Sequence, residues 1–152
     1  MPPKVQIESP LTGDGQALIA ESQGALEAVY DASEIFSFSA AELARPDTHF
    51  LVARGDGGEA LGCVALVECA GYAEVKRLYV RPEGRGRGTA RLLMAALEAK
   101  AAQLGLAEVL LETGGRLVPA VVLYESLGYR VRGPFGAYPE HPASLFMGKR
   151  VA

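Results

Sequence analysis

Apolar side chains follow two different periods along the chain, and the change between them locates its main elements. Between Ala90 and Leu104 apolar residues recur every three or four positions and Gly105 follows, which predicts a long helix. Before that helix, runs rich in β-branched and aromatic residues are separated by short turns that contain glycine, a pattern that predicts an antiparallel meander. The three predicted strands of the meander are 48–54, 60–69 and 72–80.

The remaining segments predict four more strands and three shorter helices. The strands are 4–8, 107–113, 129–132 and 144–150, and the helices are 16–30, 31–44 and 119–127. Within the second of these helices, Ser39 followed by Glu42 has the spacing of a capping box. The order β-α-α-β-β-β-α-β-α-β-β predicts an α/β (α+β) fold. The 152 residues are the length of a single domain, 1–152.

Composition and charge narrow the class of protein. Hydrophobic residues make up 49% of the chain, enough for a buried core, yet no apolar run reaches the ~18 residues of a membrane span. Residues 1–10 lack the apolar segment of a signal peptide, so we expect no membrane association and a cytoplasmic location. The net charge of −3 and the pI of 5.4 argue against nucleic-acid binding, which depends on basic surface.

The cysteines and histidines predict no metal site. Cys63 and Cys69 lie in one predicted strand, where they cannot bridge each other, and they match no metal-ligand spacing. We interpret them as reduced structural thiols. His49 and His141 are far apart in the sequence, and neither lies in a recognisable catalytic or metal motif.

The segment RGRGTA, residues 85–90, joins the last strand of the meander to the long helix and has the chemistry of an anion site. Its glycines let the backbone approach a ligand closely, while the helix start offers unpaired N–H groups and the positive end of the helix dipole. Two arginines add formal positive charge. A P-loop is excluded because no Gly-Lys-Ser/Thr follows, and a dinucleotide fingerprint because its third glycine is absent. The segment therefore predicts a phosphate or pyrophosphate site, with a solvated turn as the alternative.

The same segment resembles the Arg/Gln-x-x-Gly-x-Gly/Ala signature of the GNAT superfamily, the acetyl-CoA-dependent N-acetyltransferases. LYVRP at 78–82 and AVVLYESLGY at 120–129 are also similar to that superfamily, and the similarity covers about residues 60–130. The resemblance implies a mixed, mostly antiparallel central sheet flanked by helices. It further implies that two central strands splay apart and that the cofactor lies in the gap.

The resemblance also implies an activity, the transfer of an acetyl group from acetyl-CoA to a primary amine by direct attack in a ternary complex. Tyr124 would donate a proton to the departing thiolate. Glu74 would act as general base, unless a chain of water molecules does so. Backbone N–H groups at Leu78, Tyr79 and Val80 would stabilise the oxyanion, at a bulge common in the family. The pyrophosphate would contact Arg85, Gly86, Arg87, Gly88, Thr89 and Ala90, mainly through backbone N–H groups, with the Thr89 hydroxyl as a further donor.

The sequence is compatible with several classes of acceptor. Segments that line the acceptor pocket in similar folds contain Phe36, Phe38, Tyr138 and His141, of which Phe36 and Tyr138 are the candidate substrate-binding residues. Nearby carboxylates, Glu34 among them, favour a cationic amine. A small amine or amino acid, a polyamine, and a protein N-terminus or lysine all remain open as acceptors. A homodimer is common among similar proteins and is a possible assembly here.

One residue departs from the family pattern. Many members have an asparagine seven residues before the helix tyrosine, where it bonds to the pantetheine arm, and here that position is Leu117. This departure keeps open a non-catalytic, regulatory CoA-binding module as an alternative. An acyltransferase that uses a longer acyl-CoA is another alternative, and a nucleic-acid binder that uses the arginines of 85–90 is a third.

Overall fold

The computed structural model describes residues 2–36 and 38–151 and contains the predicted elements in the predicted order. The elements are β1 (Lys4–Ile7), α1 (Gly13–Glu27), α2 (Ala40–Leu43), β2 (Thr48–Arg54), β3 (Ala60–Glu68), β4 (Tyr72–Val80), α3 (Thr89–Gln103), β5 (Glu108–Gly114), α4 (Val118–Ser126), β6 (Arg130–Arg132) and β7 (Ser144–Arg150). Short 3-10 turns at Ala32–Glu34 and Pro82–Gly84 precede α2 and α3.

The strands form one sheet in the order β1-β2-β3-β4-β5-β7-β6. Strands β2, β3 and β4 make the predicted meander, and every neighbouring pair is antiparallel except β4 and β5. The parallel pair requires a crossover, which α3 supplies. The mixed, mostly antiparallel sheet that the resemblance implied is therefore confirmed.

Strands β4 and β5 separate at the centre of this sheet. Their pairing begins at Tyr72 opposite Glu108 and ends at Val75 opposite Leu111. Beyond that point β4 continues to Val80 and β5 continues to Gly114, with no ladder between them. The splay that the resemblance implied is thus present, and it opens the sheet at the end of β4 that leads into the 85–90 segment.

Helices cover both faces of the sheet and bury the apolar positions that the sequence pattern marks. On one face Leu93, Leu97 and Ala101 of α3 are fully buried, as the helical period predicts. On the other face Leu18 of α1 packs against a cluster that includes Phe50 of β2. These two apolar layers hold β4 and β5 rigidly up to the point where the strands part.

Several predicted boundaries were wrong in the N-terminal third. Helix α1 begins at Gly13 rather than at residue 16, because the Thr12 hydroxyl accepts the backbone N–H of Gly15 and caps the helix. It ends at Glu27, which frees Tyr30 to pack elsewhere. The predicted helix 31–44 is a 3-10 turn followed by the short α2, whose capping box of Ser39 and Glu42 is confirmed.

Both cysteines are free thiols. Cys63 is buried in β3, whereas Cys69 lies just after that strand and is partly exposed. Within residues 2–36 and 38–151, no helix combines the length and the apolar character needed to cross a membrane.

Candidate active site

A cavity of about 710 Å³ occupies the gap between the splayed strands. The end of β4 forms one wall and the end of β5, from Leu111 to Gly114, forms the opposite wall. Helix α1 and the 34–36 segment close one side, and helix α4 closes the other. Of the residues predicted for the site, the cavity lining includes Phe36, Leu78, Tyr79, Val80, Arg85, Ala90 and Tyr124.

The 85–90 segment presents backbone donors at the start of α3. Gly86 and Gly88 have φ values of 74° and 73°, in the left-handed region that favours glycine. Gly88 is the N-cap residue of α3 and supplies no side-chain cap, so the first N–H groups of the helix have no partner within it. Orphan donors and the positive end of the helix dipole are features that suit an anion, as the sequence predicts for this segment.

The side chains of this segment behave less uniformly than predicted. Arg85 borders the cavity and donates its Nε–H to the carbonyl of Val80, while Arg87 is exposed. Thr89 is buried, and its hydroxyl donates to the carbonyl of Gly84 at 2.7 Å. That proton is therefore committed to holding the loop, and the predicted Thr89 hydroxyl donor to a phosphate is corrected. The role predicted for the backbone N–H of Thr89 stays a prediction.

Strand β4 contains a bulge where it borders the cavity. Lys76 lies opposite Ala65 and Tyr79 lies opposite Cys63, so β4 has one residue more than β3 over this stretch. Arg77, inside the bulge, has a φ of 57°, which is rare for a residue with a side chain. A bulge re-aims the backbone locally, so the strand end has the feature that an oxyanion site at Leu78 to Val80 requires.

Tyr124 lies in α4 and faces the cavity. Burial, and to a smaller extent the nearby Glu112 carboxylate, raise its pKa, so the phenol stays protonated throughout the neutral range. Its ring packs edge-on against Tyr129 at a centroid distance of 5.8 Å. A buried, protonated phenol beside a cavity is suited to donate a hydrogen bond or a proton.

Glu112 is the site residue that sequence reasoning missed. It lies on β5, lines the cavity, and has its pKa raised by burial. Among the described residues no lysine or arginine nitrogen lies within 4 Å of its carboxylate. The signal that indicates it is a single carboxylate inside the apolar run VLLET of β5. A carboxylate in that environment is a better proton acceptor than an exposed one.

Glu74, the predicted base, has a different environment. It is buried, its carboxylate accepts a hydrogen bond from the Tyr138 hydroxyl, and Lys76 Nζ lies 3.2 Å from the same oxygen. Glu74 is not part of the cavity lining, whereas Lys76 is. Because its carboxylate is already paired and lies away from the cavity, the structure assigns Glu74 to a buried polar network. This geometry gives no support to the prediction that Glu74 acts as the base.

Two comparisons with known proteins agree with this geometry. The family described as an acetyltransferase (GNAT) domain matches residues 46–131, more than half of the chain. An IAA acetyltransferase of Azospirillum brasilense is 41% identical over 144 residues, covering 93% of this chain and 94% of that relative. The chain belongs to the GNAT acetyltransferase family.

Solved structures extend the likeness to the whole GNAT fold. A Klebsiella pneumoniae protein, provisionally named an acyl-CoA N-acyltransferase, is 34% identical with a TM-score of 0.85, over 99% of this chain and 98% of that one. The PaiA N-acetyltransferase of Thermoplasma acidophilum, solved in complex with coenzyme A, has a TM-score of 0.72 at 21% identity, over 97% of this chain and 99% of that one. The family membership makes this chain an acyl-CoA-dependent acetyltransferase.

Lys76 contacts a group of aromatic side chains that reaches the cavity at Phe36. Its buried Nζ donates to the carbonyl of Phe36 at 3.2 Å and to the Tyr138 hydroxyl, and it lies 4.8 Å from the centroid of the Phe38 ring. Phe36 packs edge-on against Tyr138 at 5.9 Å and against His141 at 6.1 Å. Phe36 borders the cavity, and Tyr138 packs against the Phe36 ring without itself lining the cavity.

Leu117, the departure from the usual GNAT asparagine, lies at the N-cap of α4 and borders the cavity. Its neighbours in the lining, Pro119, Ala120 and Leu123, are also apolar. This part of the cleft therefore offers van der Waals contact where an asparagine would offer a hydrogen bond. No group of three or more His, Cys, Asp or Glu side chains in the described part of the chain has a geometry that could hold a metal ion.

Proposed function

We propose that this single-domain enzyme transfers the acetyl group of acetyl-CoA to a primary amine by direct attack in a ternary complex. The observation that carries the proposal is the convergence of different groups on one cavity. The gap between β4 and β5 is bordered by the bulged end of β4, by Tyr124 and by Glu112. The start of α3 opens onto the same gap. Such a gap can hold a thioester and an amine side by side, and proximity supplies much of the rate enhancement.

The donor end of the proposed site rests on the backbone. The pyrophosphate of acetyl-CoA would lie at the N-terminus of α3, where Gly86 and Gly88 leave open space for it and the unpaired N–H groups converge. Arg85 and Arg87 would add charge at the rim. The pantetheine arm would then follow the gap between the strands toward the β4 bulge, past the apolar side chain of Leu117.

Glu112 would act as the general base. A primary amine is mostly protonated at neutral pH, since its pKa is near 10.4, and it must lose that proton before it attacks. Burial raises the pKa of Glu112, which brings it closer to that of the ammonium and makes the carboxylate a better proton acceptor than an exposed one. Glu112 lines the cavity on β5, beside the end of β4, where an acceptor amine can reach it.

Strand β4 would stabilise the negative charge on the carbonyl oxygen, and helix α4 would stabilise the negative charge on the departing sulfur. The bulge between Lys76 and Tyr79 would direct a backbone N–H toward the carbonyl oxygen as that oxygen becomes negative. Tyr124 would donate to the departing CoA thiolate, a role for which its protonated phenol is suited. Glu112 would take one proton from the ammonium before the attack, and Tyr124 would protonate the departing sulfur. The second proton, lost from nitrogen as the amide forms, would replace the proton on Tyr124, so the products are the amide, CoA thiol and protonated Glu112.

Direct attack is favoured over a covalent acyl-cysteine. Burial raises the pKa of Cys63 to about 12, and the thiol donates to the carbonyl of Arg77. The pKa of Cys69 is also raised, again mainly by burial. The thiolate is the nucleophilic form of cysteine, so neither residue is activated, and neither belongs to the cavity lining.

Acetyl is favoured as the transferred group because the named relative is an acetyltransferase. A longer acyl-CoA is the second candidate, because Leu117 and its apolar neighbours would accommodate additional methylene groups. A regulatory module without turnover is disfavoured by the family membership and by the presence of both Tyr124 and Glu112 in the cavity.

The test is steady-state kinetics with a panel of primary amines in which acetyl-CoA and the amine are varied together. Intersecting double-reciprocal lines are expected for a ternary complex, and parallel lines would indicate a covalent intermediate instead. Propionyl-CoA and butyryl-CoA, assayed beside acetyl-CoA, should give lower kcat/KM values. No turnover with any amine, while acetyl-CoA still binds, would contradict the proposed function.

A further inference from the structure

A second cavity, of about 490 Å³, adjoins the first on the acceptor side. Glu34 and Ala143 border both cavities, so the two spaces meet at these residues. The remaining lining of the second cavity comes from the loop after β5 and the loop before β7. Those residues are Gly115, Arg116, His141 and Pro142.

Arg116 is held in this cavity by groups that do not neutralise its charge. Its backbone N–H donates to the Tyr30 hydroxyl at 2.9 Å, and its Nη1 donates to the carbonyl of Val29 at 3.2 Å. The guanidinium carbon lies 5.0 Å from the centroid of the Tyr30 ring. Tyr30 also packs so closely on Gly114 that a Cβ there would clash with its phenol. These contacts orient the guanidinium toward the cavity, although the Arg116 side chain as a whole is 60% exposed.

The charges around Arg116 leave it able to bind an anion. The nearest oxygen of Glu34 is 3.7 Å from Nη2, beyond hydrogen-bond distance, and the other oxygen accepts the backbone N–H of Asp31 at 2.9 Å. His141 faces the same cavity, and its Nδ1 accepts the backbone N–H of Ala143, so Nε2 carries the proton of the neutral ring. The Arg116 guanidinium thus keeps N–H donors that the Glu34 carboxylate, the other charged group in the lining of this cavity, does not use.

We propose that the acceptor amine carries a carboxylate and that Arg116 binds this group in the second cavity. The inference rests on the proposed function, because it names the class of amine that would enter the same site. A guanidinium presents a planar fork that matches a carboxylate with two parallel hydrogen bonds. The amine end would extend past Glu34, whose carboxylate suits a cation, toward Glu112 and the thioester.

This arrangement predicts selectivity for amino acids over simple amines. An acceptor without the carboxylate would leave Arg116 facing only Glu34 at 3.7 Å and would lose the charged hydrogen bonds. Loss of such bonds reduces kcat/KM by about 10- to 100-fold, mostly through KM, because the bonds are distant from the reacting atoms.

The experiment compares matched acceptors with and without the carboxylate. The pairs are phenylalanine with phenethylamine, lysine with cadaverine, β-alanine with ethylamine, and 4-aminobutyrate with propylamine, which also vary the spacing between the two groups. The wild-type enzyme should prefer the acid of at least one pair about 10-fold or more in kcat/KM. Arg116→Gln should abolish that preference by raising the KM of the acid, and the readout is the ratio of kcat/KM for the acid to kcat/KM for its matched amine.

Two further variants separate recognition from folding. Arg116→Lys keeps the charge and should restore part of the preference. Arg130→Gln removes an exposed arginine of β6, away from both cavities, and should change nothing. Acetyl-CoA affinity should be the same in all four proteins. Turnover of amines without a preference for acids, or a preference that survives Arg116→Gln, would overturn the inference and leave the proposed function intact. Turnover of neither class would overturn both.

Discussion

On the donor side of the cleft the groups available to a ligand belong to the backbone, whereas on the acceptor side they belong to side chains. The donor groups come from one continuous segment, the glycine-rich loop and the first turn of α3. The acceptor groups come from distant parts of the chain: Lys76 bonds to a residue 40 positions before it and to another 62 positions after it. We infer that the donor site tolerates most substitutions that preserve the backbone, while acceptor selectivity depends on individual side chains.

The largest effect is expected on the acceptor side, from Glu112→Gln. Without a base, kcat/KM for the amine should fall by about 100-fold or more, with acetyl-CoA affinity unchanged. The wild-type rate should rise with pH through the raised pKa of Glu112, and the variant should lose that limb of the profile. Stopped assays from pH 5 to pH 9 would measure both. A variant that retains the wild-type pH profile would remove Glu112 from the mechanism.

The same substitution should make the fold more stable. Because the folded pKa of Glu112 is raised above its ordinary value of 4.5, its contribution to stability is present below pH 4.5 and is lost as pH rises through the folded pKa. Glu112→Gln should therefore have a higher Tm than the wild type at pH 8, and the difference should vanish near pH 4. A lower Tm at pH 8 would show that the carboxylate is stabilised by the fold instead.

On the donor side, Gly88→Asp should weaken acetyl-CoA binding by about 10-fold or more, because it places a carboxylate beside the proposed pyrophosphate position. Gly88→Asn is the matched control, since asparagine has a similar shape, tolerates the φ of 73°, and carries no charge. A Cβ at Gly88 meets no atom within 4 Å, so the comparison isolates charge. Equal affinities for the two variants would contradict the phosphate assignment.

A smaller effect is expected from Tyr138→Phe. The change removes the hydroxyl that bonds to Glu74 and Lys76, and losing one partner of a buried charged group costs about 1–3 kcal/mol. Because Tyr138 supports Phe36, the acceptor KM should rise several-fold, while acetyl-CoA affinity stays the same. Phe38 also contacts Lys76, but only through its ring. Phe38→Leu is therefore the control that changes packing without removing a hydrogen bond. A change in acetyl-CoA affinity alone would show that the two sides are not separable.

The smallest effect is expected from Leu117→Asn, which restores the residue that many GNAT members have at this position. One additional hydrogen bond to the pantetheine arm contributes about 0.5–1.5 kcal/mol, so acetyl-CoA affinity should increase by about 10-fold at most. Leu117→Ala tests the apolar contact instead and should weaken binding. A loss of affinity in Leu117→Asn would mean that the arm follows a different path here.

Local patterns were enough to predict the elements of the donor side. The period of α3 and the glycines of 85–90 each depend on neighbours a few residues away, and both are present in the structure. The candidate base could not be chosen in the same way. The sequence does not show that the Glu74 carboxylate bonds to the Tyr138 hydroxyl, 64 residues away, or that Glu112 lines the cavity. The periodicity of the sequence does not show how deeply a carboxylate is buried or which distant residues it bonds to.

The comparison between the two sides can be tested by measuring backbone amide hydrogen exchange with and without acetyl-CoA. Binding should slow exchange at the β4 bulge, residues 77–80, and at the loop and first turn of α3, residues 86–91. The acceptor loop, residues 133–143, should stay unchanged until an amine product is added. Protection confined to the acceptor loop, or none at 86–91 under saturating acetyl-CoA, would contradict a donor site built from backbone N–H groups.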